Sequence, residues 1–113
     1  MSSVAERLKK ERRTEIKIGE ITFSGSRLTP EQYSRYSAQQ LTDADVCRVH
    51  IDGVEGAKES DVIEGGAKTP WKYNREDFSE AIGEKPEWYK PLVEALIKDA
   101  KEKLLRKAEN EKN

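Results

Sequence analysis

Cys47 and His50 are the only cysteine and the only histidine in the chain. Three residues apart, they would be neighbours on one helical face, the spacing a thiolate–imidazole pair needs for nucleophilic catalysis. A reactive thiolate also needs an electropositive setting. The charged residues around this pair include Asp43, Asp45 and Asp52, which work against thiolate formation. The residue types therefore fit a small apolar thiol beside an edge imidazole better than a dyad. Zinc wants three or four Cys or His ligands, and two are present. The carboxylates Asp43, Asp45, Asp52, Glu55, Glu59 and Asp61 do not follow the calcium-loop spacing, which places Gly at position 6 and Glu at 12. They read as a solvated acidic face. Gly65-Gly66-Ala67-Lys68-Thr69 resembles the end of a phosphate loop only loosely. Ala67 stands where Gly must precede the Lys, and Val62 where the first Gly belongs. No catalytic, cofactor-binding or metal-binding residue is therefore expected.

A dense basic run, Arg7, Lys9, Lys10, Arg12 and Arg13, could touch phosphates, but Glu6, Glu11 and Glu15 interleave with it. The whole chain has net charge −1, so nucleic acid is not the expected partner. The chain has 113 residues, room for one domain, with 38% charged and 35% hydrophobic residues, so the expected core is small. No apolar run is long enough for a membrane span, and Met1–Arg7 lacks the apolar centre of an export signal. With one cysteine and no internal disulfide, the expectation is a cytoplasmic protein.

The elements follow from periodicity and capping chemistry. Residues 4–13 favour helix, but only Val4 and Leu8 are apolar, so 1–13 reads as a basic, frayed segment. Over Thr14–Ser24, Ile16 and Ile18, then Ile21 and Phe23, alternate with polar residues, predicting a hairpin. A type II′ turn at Gly19-Glu20 would set Ile18 opposite Ile21 and Ile16 opposite Phe23. Thr29-Pro30-Glu31-Gln32 has the form of a capping box, and Thr42 and Asn74 are further N-caps. Residues 46–52 fit a helix capped by Thr42 that breaks near Gly53, with a strand in which Cys47, Val49 and Ile51 alternate as the alternative. Glu55–Pro70 is a long link that Val62-Ile63 could pin to the core as an extended piece. A helix begins at Asn74 and ends at Gly83, and Pro86 opens the last element. There Pro91 is expected to make a joint, and Tyr89, Val93, Leu96, Ile97, Ala100 and Leu104 form an apolar stripe. Residues 106–113 read as a disordered tail. The fold class is α+β: a hairpin on three to four helices, folded over 14–105, with mobile ends.

Aromatic placement is the most informative functional signal. Trp71, Tyr73, Phe78, Trp88 and Tyr89 lie close together in sequence. Some must build the core, and a small domain leaves others to anchor a protein partner. The candidate partner-binding residues are Trp71, Tyr73, Trp88, Tyr89, Val93 and Ile97.

The order of elements carries a resemblance over roughly residues 14–100. A hairpin precedes a Thr-Pro-Glu-Gln-Tyr helix (29–33), and a second helix runs into Asp-Gly-Val-Glu-Gly (52–56). An acidic link follows, then Pro-x-x-Tyr-Asn-Arg-Glu-Asp-Phe (70–78) and Pro-Glu-Trp (86–88). This layout resembles the small tail-assembly chaperones of long-tailed bacteriophages, although residues 52–56 lack the Trp common in that family. The resemblance implies a non-enzymatic protein without cofactor. It would coat the tape measure protein in the host cytoplasm, help recruit major tail protein subunits, and be absent from the finished virion. The alternatives are a small virion component for head–tail joining or tail completion, and a small regulator that binds nucleic acid or inhibits a host enzyme.

Overall fold

The structure, a computed structural model, describes residues 3–112 and the side chains of residues 3–107. It is α+β, with a three-stranded antiparallel sheet in the order β1-β2-β3. The elements in chain order are α1 (Val4–Glu11), β1 (Arg13–Ile18), β2 (Ile21–Ser26), α2 (Pro30–Ala38), α3 (Asp43–His50), β3 (Ile51–Glu55), α4 (Glu59–Val62), α5 (Arg75–Ile82) and α6 (Pro86–Lys112).

The hairpin has the expected register, Ile18 with Ile21 and Ile16 with Phe23. Gly19 takes the positive φ, 61°, that the first position of a II′ turn demands. Residues 46–52 divide between the two readings: helix through His50, strand from Ile51. This strand was not part of the expected hairpin, and it pairs with β2 through a register shift at Ser24/Gly25. Gly25 lies so close to the His50 backbone that a Cβ there would collide with the His50 carbonyl.

Side-chain caps start the helices where the sequence places them. Thr29 and Gln32 make a reciprocal capping box. Thr42 and Asn74 accept from the backbone N–H of Asp45 and Asp77. Such caps stabilise a helix by about 1 kcal/mol each.

Phe23 at the centre of β2 meets the edge of Trp88 in α6, ring centroids 5.1 Å apart. Ile51, Val54, Cys47, Phe78 and Ile82 complete one core with Leu92, Leu96 and Ala100 of α6. The buried line of α6 is thus Trp88, Leu92, Leu96 and Ala100, joined by Val93. Of the expected stripe, Val93, Leu96 and Ala100 are buried and Tyr89 and Ile97 pack at its edge, while Trp88 and Leu92 were left out of it.

Several boundaries differ from expectation. The N-terminal segment expected to fray forms α1, capped by Ser3, yet it buries no residue. Pro91 lies inside a continuous α6 rather than at a joint. The tail read as disordered from 106 continues α6 to Lys112, and Asn113 lies outside the described residues. The link contains the one-turn α4 and closes on itself. Trp71 N–H donates to the Ala57 carbonyl, Glu59 N–H to Thr69 and Ser60 N–H to Ala67. Its length is therefore absorbed by a compact surface loop.

Candidate functional site: the clefts around Trp71

Cys47 and His50 share a helix but not a task. The Cys47 side chain is fully buried, and its Sγ donates to the Tyr89 carbonyl at 3.9 Å. Burial, reinforced by Asp43, pushes the thiol up to about 12, so the thiolate is suppressed. His50 Nδ1 lies 2.9 Å from the Ser26 carbonyl. A carbonyl can only accept, so Nδ1 carries the proton and Nε2 accepts from the Tyr36 hydroxyl at 3.1 Å. Burial lowers the imidazole pKa, partly opposed by the bond to Ser26. Both ring nitrogens are therefore engaged in holding α2 and β2 to α3. Among the described residues, no three His, Cys, Asp or Glu side chains converge as a metal site.

The six candidate partner-binding residues separate into two sets. Trp88 and Val93 belong to the core, at 5% and 8% exposure. The Trp88 ring is enclosed by Phe23 on its edge and by Lys85, whose Nζ stands 4.9 Å from its centroid. Neither residue is free to meet a partner in this conformation. Tyr89 and Ile97 flank the core on α6 and remain half-buried. Trp71 and Tyr73 stand together on the segment before α5, with centroids 6.0 Å apart, and Tyr73 leans on Phe78 at 5.9 Å.

Two open clefts meet at Trp71. One, of about 440 Å³, lies between Trp71 and Tyr73 on one side and Ser24, Gly53 and Val54 on the other. The second, of about 470 Å³, has an apolar floor of Val62, Ile63, Trp71 and Ala81. Its rim carries Glu59, Glu76, Asp77, Glu80 and Glu84 and no basic side chain. Sequence reading singled out Trp71 but missed this cleft, because its walls come from α4 and α5, which meet only in the fold. The one sequence signal is Val62-Ile63, read as a core pin. Val62 packs on the core, whereas Ile63 stays 60% exposed.

Trp71 is held in place rather than left loose. Its Nε1 donates to Asp77 Oδ2 at 3.0 Å, and Asn74 Nδ2 donates to the same oxygen at 2.6 Å. These bonds, the indole's first, hold the Asp77 carboxyl below its usual range. An indole fixed at its polar end, with its face lining two clefts, is an amphipathic anchor of the kind that interfaces use.

No helix among the described residues is long and apolar enough to cross a membrane. Comparison of the chain with protein-family models, with curated proteins and with solved structures gives no match.

Proposed function

We propose that this protein is a non-enzymatic tail-assembly chaperone of the long-tailed bacteriophage type. It holds the tape measure protein in the host cytoplasm until major tail protein subunits assemble around it. The observation that carries this reading is Trp71, fixed by Asp77 and half-exposed where two open clefts meet. A tape measure is long and helical, and its apolar stripes need cover before the tube forms. A groove with an apolar floor and a charged rim covers such a stripe reversibly. The commitment of Cys47 and His50 to packing and hydrogen bonding supports a role in binding rather than in bond-making. In this reading Trp71 and Tyr73 are the anchors, with Tyr89 and Ile97 as secondary contacts.

Co-expression with the tape measure protein tests the assignment. The tape measure stays soluble with this chain and precipitates without it. Equal precipitation in both cultures overturns the proposal.

A further inference from the structure

Beyond Ala100, the described side chains of α6, up to Lys107, are half-buried or exposed. Ala100 is the last buried residue among its described side chains, and the helix continues to Lys112, about 18 Å beyond. The molecule measures 57 × 38 × 23 Å, with a radius of gyration of 16.0 Å. A chain of this size usually folds to about 13 Å. Leu105 on the extension is 62% exposed, and Leu104 beside it is only half-buried. From Lys101 to Lys112 the extension carries the bases Lys101, Lys103, Arg106, Lys107 and Lys112 and the acids Glu102, Glu109 and Glu111, a surplus of two positive charges. A helical half this short and this poor in tertiary contacts gains little stability by itself.

The second cleft is its complement. Ile63 and Trp71 offer an apolar floor, and Glu59, Glu76, Glu80 and Glu84 offer a rim of the opposite sign. The helix and the cleft are distinct surfaces of the same chain. We infer that the basic, leucine-bearing end of α6 docks in the carboxylate-rimmed cleft of a second copy. Reciprocal docking about a two-fold axis uses both helices and both clefts and closes at two chains. Leu104 and Leu105 meet Ile63 and Trp71, and the lysines of the helix face the Glu80 and Glu84 side. This contact uses the same Trp71 cleft that the chaperone reading gives to the tape measure, so the second copy and the tape measure compete for it. It is tested on the isolated protein, so its failure leaves the tape-measure assignment standing.

Sedimentation velocity over a concentration series in low salt is the test. The mass rises from one chain to two, and the dimer weakens at least tenfold in molar salt, where charge interactions are screened within about 3 Å. Glu80→Lys/Glu84→Lys on the cleft and Leu105→Asp on the helix each leave a monomer. All three positions are exposed, and unchanged thermal melting checks that these variants fold. Mixing the cleft variant with Lys101→Glu/Lys103→Glu restores a two-chain species that neither forms alone. A wild-type monomer at every concentration, or a dimer indifferent to both the cleft and the helix variants, overturns the inference.

Discussion

Trp71 and Asp77 are joined by a hydrogen bond of 3.0 Å from the indole Nε1 to the carboxylate Oδ2, which ties the end of the link to the first turn of α5. The Asp77 backbone N–H is in turn capped by Asn74, so the indole, the carboxylate and the helix start form one unit. The position of the candidate anchor therefore depends on a carboxylate that reads, in sequence, only as a helix-start acid.

Asp77→Ala separates positioning from stability. The carboxylate is exposed, so the melting temperature changes little, while the Trp71 indole loses its fixed partner. The expected result is a red-shifted emission and stronger acrylamide quenching from Trp71. Steady-state fluorescence in a Trp88→Phe background reads this directly.

Gly25 is intolerant of a Cβ that Gly53 accepts. A Cβ on Gly25 would collide with the His50 backbone, which cannot swing aside as a side chain can. Gly25→Ala is expected to cost about 3 kcal/mol, at the upper end for overpacking. A Cβ on Gly53 meets only the Ser24 Cβ at 3.6 Å, an ordinary contact. Gly53→Ala is expected to change stability by less than about 0.5 kcal/mol. Urea denaturation of the two variants measures the contrast.

His50 makes the fold sensitive to mild acid. Its folded pKa lies below the ordinary value of 6.5, chiefly through burial. The unfolded chain therefore takes up the proton more readily. Stability is full above about pH 6.5, falls as the pH drops from there through the folded value, and levels off below it. At still lower pH, below 3.8, the protonation of Asp52 removes its pairing with Arg13 and lowers stability again. Melting temperature against pH should show the first slope in the wild type and lose it in His50→Gln.

Cys47 should be inert in the native state. Its thiol is buried and raised to about 12, so a thiol reagent must wait for the protein to open. Labelling of the native protein, followed by mass spectrometry, is expected to track unfolding, with rapid labelling in denaturant. Fast native labelling would contradict the core assignment of this residue.

Local chemistry was legible where a few adjacent residues decide the outcome. Gly19 with the alternating Ile16–Phe23 pattern set the hairpin register, and Thr29, Thr42 and Asn74 marked helix starts by their own side-chain oxygens. Over 46–52 the Thr42-capped helix was legible but its end was not, because the switch at His50–Ile51 is decided by the pairing of Ile51 with Gly25, a non-local contact. The face of α6 was legible in part: Val93, Leu96 and Ala100 are buried and Tyr89 and Ile97 pack at its edge, but Trp88 and Leu92 were left out for a related reason. Trp88 and Leu92 turn inward because Phe23 and the helices packed on α6 receive them, and sequence periodicity does not contain those partners. Of the candidate site, the Trp71–Tyr73 pair was legible from aromatic clustering. The acidic rim was not, since Glu59 and Glu84 lie far apart in sequence and meet only across the cleft.

The central claim is that Trp71 anchors a protein partner. Its most direct test is a fluorescence titration of the Trp88→Phe protein with a tryptophan-free helical segment of the tape measure protein. The account predicts a saturable blue shift of Trp71 emission with loss of acrylamide quenching. An unchanged Trp71 spectrum in a complex shown to form by co-sedimentation would contradict it.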